Sequence, residues 1–66
     1  MHVIINGERH ELPAGATVDD ALVAIGAPRS GVAVAVDGGV VPRADWTLTK
    51  LGEDTQVEVL TAVQGG

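Results

Sequence analysis

Three groups of residues in this 66-residue chain have types and spacing that chemistry could use: His2 with His10, the acidic pairs Asp19-Asp20 and Glu53-Asp54, and the closing glycines Gly65-Gly66. The histidines could face each other across a hairpin as a metal pair, but a metal centre needs further ligands. With no third ligand in view, both read as partly exposed strand residues, and no metal site is expected. The acidic pairs could hold Mg²⁺ or perform general acid–base work; helix-terminus and turn chemistry explains both without a reaction. No Ser-His-Asp arrangement can be argued. Gly38-Gly39 joins two extended segments and opens no helix, so no phosphate-cradling loop is expected. No residue is assigned a catalytic role.

The last five residues, Ala62 to Gly66, lie beyond the final predicted strand and could project about 17 Å at ~3.3–3.6 Å each. Without Cβ atoms, Gly65 and Gly66 could thread a narrow channel and set a terminal carboxylate against a bound nucleotide. The competing reading is an inert frayed end.

The chain has no cysteine, which excludes disulfides, thiolate metal sites and thiol chemistry on the protein itself. Nine acidic residues against four basic ones give a formal charge of −5, and Trp46 is the single aromatic. Such a surface repels phosphate backbones and offers no stacking platform, so nucleic-acid binding is not expected. A protein partner with a basic docking face fits better. The longest apolar run, "VAVAV", falls far short of the ~20 residues that span a bilayer, and no signal peptide is recognised. Neither a membrane partner nor export is expected, which leaves the cytoplasm.

At 66 residues one domain is expected, covering 1–61, with 62–66 as a flexible tail. Asn6-Gly7 supplies the positive φ angles of a tight hairpin between strands at 2–6 and 8–12. Met1, Val3 and Ile5 then share one face, and Ile4 points the other way. Val18, Ala21, Leu22 and Ile25 recur at helical spacing, with Thr17 as N-cap and Gly26 and Pro28 as the stop, predicting a helix of about ten residues. A strand through "VAVAV" puts Val34 and Val36 on one side and Ala33 and Ala35 on the other. Asp37-Gly38-Gly39 forms the next turn, and a short extended piece ends at Pro42. The alanine side is either a flat interaction face or is covered by a loop or rim. Residues 43–54 show no period, with one short helical turn after Pro42. A last strand over 55–61 places Val57 and Val59 inside, and Gln56, Glu58 and Leu60 outside. The order predicts an α+β fold, a mixed sheet of four to five strands packed on one helix, which is the β-grasp or ubiquitin-like architecture.

The helix start "AGATVDDAL", the segment "VAVDGGVVPRADW" and the closing Gly-Gly together resemble the ThiS family, the sulfur carriers of thiamine biosynthesis. The likeness runs over essentially the whole chain, and its most specific part is Val41-Pro42-Arg43 followed by Trp46. Gln64 departs from the apolar residue or alanine often found there, which should alter tail contacts without removing the reactive group. The resemblance implies that the Gly66 carboxylate is adenylated by a ThiF-like or MoeB-like adenylyltransferase using ATP and Mg²⁺. The domain itself binds no cofactor. Sulfur from a cysteine desulfurase persulfide then leaves a thiocarboxylate, which donates to thiazole synthase, ThiG. The chain is thus a co-substrate and not an enzyme.

Ile4, Ala35 and Leu60, apolar and turned away from the predicted core, are candidates for a partner docking patch, with Gly65 as the threading residue. For Arg43 and Trp46, a packing anchor and a pairing with a nearby acid are favoured over sulfur chemistry. Lys50 reads as an exposed loop residue. The alternatives are a MoaD-type molybdopterin carrier, which shares the fold and Gly-Gly end, and a ubiquitin-like modifier or interaction module. A TGS-like RNA-binding domain is disfavoured by the acidic charge.

Overall fold

In the computed structural model, residues 1–61 are described; Gly65 and Gly66 lie outside them. Local turn chemistry sets the first register. Asn6 and Gly7 both take positive φ, 51° and 83°, the signature of a two-residue type I′ turn. Strands β1 (His2–Ile5) and β2 (Glu8–Glu11) accordingly pair antiparallel with Ile5 opposite Glu8. Asp37 and Gly38 repeat the device at φ 48° and 88° between β3 (Val32–Val36) and β4 (Gly39–Val41). Here the structure corrects the expected three-residue turn: Gly39 is already in β4, paired with Val36.

The helix α1 (Val18–Ala24) begins as expected at Thr17, in a reciprocal capping box. The Asp20 amide donates to Thr17 Oγ1 at 3.4 Å, and the Thr17 amide donates to Asp20 Oδ2 at 2.8 Å. At seven residues it is shorter than expected. Gly26, at φ 68°, ends it in a Schellman arrangement, where the Ala27 amide reaches the Leu22 carbonyl at 2.9 Å and the Gly26 amide the Val23 carbonyl at 3.1 Å. Ile25 is thereby the cap and not a helical residue.

The final strand, β5 (Thr55–Thr61), enters the middle of the sheet, giving the order β2-β1-β5-β3-β4. It runs parallel to β1 and antiparallel to β3. A mixed five-stranded sheet on one helix is the β-grasp architecture. Val3, Ile5, Val34, Val57 and Val59 turn inward against Val18, Ala21 and Leu22 of the helix, and Leu12, Ala16, Trp46 and Leu51 close the edges.

The aperiodic stretch after Pro42 is more ordered than its sequence indicates. A 3₁₀ turn, Arg43–Asp45, follows Pro42 as anticipated. Hydrogen bonds from Val18 to the Thr49 carbonyl and from Leu51 to the Ala16 carbonyl tie the loop to the helix entry. Lys50 is exposed, yet its backbone forms an isolated bridge with Thr17. Trp46 is 1% exposed, and its indole Nε1 donates to the Val41 carbonyl at 2.9 Å. The expected packing anchor is therefore also a polar link between β4 and the loop. Trp46→Ala should cost about 3–5 kcal/mol out of a total near 3–10 kcal/mol for a domain of this size. Urea denaturation followed by circular dichroism should show that loss, with Trp46→Phe losing less.

Candidate functional site

The sheet face away from the helix is built by the period of two. The register puts Leu60 opposite Ala33, Ala35 between Glu58 and Val40, and Ile4 beside Gln56. Ile4, Ala35 and Leu60 thus share the outer face, but they are not one contiguous cluster. Leu60 lies four residues along β5 from the level of Ile4, a separation of about 13 Å along the strand. The apolar neighbours of Ala35 and Leu60 are instead Ala33 and Val40. Leu60 is 68% and Val40 77% exposed, whereas Ile4 and Ala35 are half-buried. Val40 was missed in the sequence because a three-residue turn hides its register with Ala35. The two-residue Asp37-Gly38 signal would have revealed it.

At the end of β5, Gly31, Val32, Ala33, Leu60 and Thr61 line a shallow groove of about 340 Å³. Thr61 is the residue from which 62–66 continue. Further back, Asp37, Gly38, Gln56 and Glu58 line a polar hollow on the same strand. The outer face therefore changes along β5, from acidic and polar at Gln56 and Glu58 to apolar at Leu60.

Two turn residues hold β5 in place from either side. Regular pairing of β1 with β5 stops at Ile5 opposite Val57, because Asn6 curls into the hairpin. Its side chain takes over the ladder: Oδ1 accepts from the Val59 amide at 2.8 Å, and Nδ2 donates to the Val59 carbonyl at 3.2 Å. Across the strand, Asp37 Oδ1 accepts from the Gln56 amide at 3.0 Å, while the Asp37 amide donates to the Gln56 carbonyl at 2.8 Å. A side-chain amide offers both a donor and an acceptor, so Asn6 can serve both polar groups of Val59. From its sequence context Asn6 reads only as a turn former.

The other candidates resolve as structure. His2 is paired with Glu11 and His10 with Val3, so the histidines occupy opposite faces of the hairpin and do not meet. His10 Nε2 is 3.9 Å from Glu8. Among the described residues no group of three or more His, Asp or Glu could hold a metal ion. Asp20 belongs to the capping box, and Asp19 pairs with Arg29 at 3.1 Å. Asp54 lies 4.0 Å from Arg9. The expected acid partner of Arg43 is not found: among the described residues no carboxylate comes within ion-pair distance, and Nη1 donates at 3.5 Å to the Arg29 carbonyl. Among the described residues no helix is long and apolar enough to cross a membrane. Gly65 and Gly66 lie outside the described residues.

With this geometry in hand, comparison with known proteins is decisive. The model of the ThiS family matches residues 3–66. The chain belongs to the ThiS family. The crystal structure of a thiamine biosynthesis protein (ThiS) from Geobacter metallireducens superposes with a TM-score of 0.82 at 25% identity, covering all of both chains. The solution structure of a thiamine biosynthesis protein from the same organism gives 0.77 at 26% identity, covering all of this chain and 88% of the other. A thiazole synthase from Magnetococcus marinus is 36% identical over 66 residues, all of this chain but only 20% of that protein. ThiS is a β-grasp family of small sulfur carriers in thiamine biosynthesis, and in this ThiS domain Leu60 and Val40 are exposed on the outer face.

At the opposite end of β5, Glu53 grips the start of β1. Its Oε1 accepts from the His2 amide at 2.9 Å, and Oε2 lies 3.5 Å from His2 Nδ1. The backbone hydrogen bond, followed by the side-chain and charge interactions with His2, holds the carboxyl below its usual value of 4.5. A depressed folded-state value stabilises the fold above the ordinary carboxylate range, and that contribution disappears as pH falls through the lowered value. Glu53→Gln should therefore be less stable than the parent near neutrality. The two stability curves should converge in acid, as denaturation at stepped pH would show.

Proposed function

We propose that this ThiS domain carries sulfur for thiazole formation on the α-carboxylate of Gly66. The observation that carries the reading is the family match, which runs unbroken through Gly65 and Gly66. A carboxylate is a poor electrophile, so the cycle begins with activation by an adenylyltransferase of the ThiF or MoeB type. One carboxylate oxygen attacks the α-phosphorus of ATP, Mg²⁺ balances the phosphate charge, and pyrophosphate leaves. The outer sulfur of a persulfide, formed by a cysteine desulfurase, takes the acyl carbon and expels AMP. A second thiol of that partner opens the resulting acyl disulfide, leaving a thiocarboxylate on Gly66 and a disulfide on the partner. With no cysteine of its own, the chain has no thiol on which to hold sulfur, and the terminal carboxylate is the available handle.

The acceptor is a thiazole synthase. The Magnetococcus marinus protein of that name contains a segment similar to this whole chain within a polypeptide about five times as long, which supports carrier and synthase acting together. The domain acts as co-substrate: it contributes the reacting terminus and a docking surface, and the partner enzymes bind the nucleotide and perform the chemistry. ATP-dependent activation sets the cycle in the cytoplasm. Gly65 lets the terminus pass a narrow channel. The outer face docks both enzymes through Leu60 with Ala33, Ala35 and Val40, and Ile4 forms its distant margin.

Incubation with ATP, Mg²⁺, a ThiF-type enzyme and a persulfide donor should raise the intact mass by the difference between one sulfur and one oxygen. Deletion of Gly66 should abolish the gain. An unchanged mass in the presence of an enzyme competent on another carrier would refute the reading.

The docking assignment has its own test. Leu60→Glu places a charge in an apolar contact and should weaken binding to both enzymes by at least about tenfold while leaving folding intact. Unaltered affinity for both would remove Leu60 from the contact.

A further inference from the structure

Val41, Pro42 and Trp46 account for themselves structurally, but Arg43 does not. The chain has nine acidic residues and four basic ones, and Arg9 and Arg29 both lie beside carboxylates, Asp54 and Asp19. Arg43 is exposed, and its interaction is the long 3.5 Å hydrogen bond to the Arg29 carbonyl. An arginine that packs no core and neutralises no acid among the described residues is available to something else.

Its position narrows what that is. Val32 pairs with Thr61 and Val34 with Val41, so β4 runs out at the end of the sheet where β3 begins and β5 finishes. Arg43 is two residues beyond Val41, and its side chain reaches the backbone three residues before Val32. The cation therefore stands at the end of the sheet from which residue 62 departs, the end that also carries the groove beneath Leu60 and Thr61.

The mount is rigid. Pro42 has φ −60° and caps the 3₁₀ turn. The Asp45 amide donates to the Pro42 carbonyl at 2.8 Å and the Trp46 amide to the Arg43 carbonyl at 3.2 Å. The buried indole then fastens this turn to β4 through Val41. The buried Trp three residues on thus fixes the backbone from which the exposed Arg43 side chain projects.

We infer that Arg43 is a docking cation that pairs with a carboxylate on the rim of the channel into which a partner enzyme takes the C-terminal residues. The inference rests on the carrier reading above and adds to it a specificity-determining residue. A guanidinium suits both carboxylate and phosphate, so the nucleotide is the rival anion. Five residues fully extended span about 17 Å, which would put the nucleotide at the far end of the inserted segment and the channel rim beside Arg43. A cation at this end of a chain of net charge −5 also sets orientation, since the partner's rim carboxylate would be repelled by the acidic residues that outnumber the basic ones on the rest of this surface.

The test is the equilibrium affinity of the full chain for a ThiF-type enzyme without ATP, at low and high salt, beside adenylation kinetics and thermal melting. Arg43→Ala should raise Kd roughly fivefold and Arg43→Glu about tenfold or more, with Arg43→Lys close to the parent and the differences shrinking in salt. Melting temperature and the rate at saturating carrier should not change. Parent-like affinity for Arg43→Glu would overturn the inference alone. So would a raised KM for ATP with unchanged carrier affinity, which would assign Arg43 to the nucleotide. A lowered melting temperature in all three variants would make its role structural. Failure of the unaltered protein to bind or be adenylated would overturn the carrier reading and this inference with it.

Discussion

The structure depends on the insertion of the last strand between the first and the third. β5 is the central strand: β1 lies parallel along the first part of one side, and β3 antiparallel along the other. Buried backbone amides and carbonyls need partners on both sides, and where the ladder with β1 ends, the Asn6 side chain supplies them. The centre of the sheet is therefore held by residues at opposite ends of the sequence. Their relative placement decides which side chains of β5 face the helix and which face outward.

That placement separates two tasks along one strand. Val57 and Val59 are buried against the helix side, while Glu58 and Leu60 between and beyond them are exposed. The neighbouring strand uses the same alternation, with Val32, Val34 and Val36 directed inward and Ala33 and Ala35 outward. Small outward residues leave the backbone close to the surface, so a partner can approach the sheet nearly flat and meet Leu60 and Val40 as raised points. The same strand leads directly into 62–66. On the proposed reading, the contact surface lies on the strand that immediately precedes the reacting residues in the sequence, and not on a separate loop.

Much of this architecture was legible because it rests on local rules. Asn6-Gly7, the Thr17 cap, the alternation in 55–61 and the 3₁₀ turn after Pro42 all announce themselves within a few residues. The errors share one physical origin, which is that exact pairing depends on turn geometry and long-range contacts. Reading Gly39 as turn residue concealed the outward position of Val40, and reading Ile25 as helical overlooked the Schellman closure at Gly26. No sequence pattern could show that Asn6 would serve Val59, since 53 residues separate them. The outward orientation of Ile4, Ala35 and Leu60 was legible from the alternation and their spacing was not: they share a face, yet Ile4 stands well away from the other two. The membership of Arg43 in a characteristic segment was visible, whereas its place at the end of the sheet where β5 finishes follows only from the pairing of β3 with both of its neighbours.

The central position of β5 also governs how the molecule comes into being. The β1–β2 and β3–β4 hairpins and the helix rely on near neighbours and can form early, but the contacts joining them must close loops of some fifty residues, and non-local closure is the slow part of such topologies. Until Thr55–Thr61 has slotted into place, β1 and β3 each lack a neighbour, and the hydrophobic sheet is split in two. The β3–β4 hairpin alone sets Ala35 beside Val40, but Leu60 reaches Ala33 only when β5 is in place. A contact that needs Leu60 beside Ala33 is therefore one that only the completed sheet can offer.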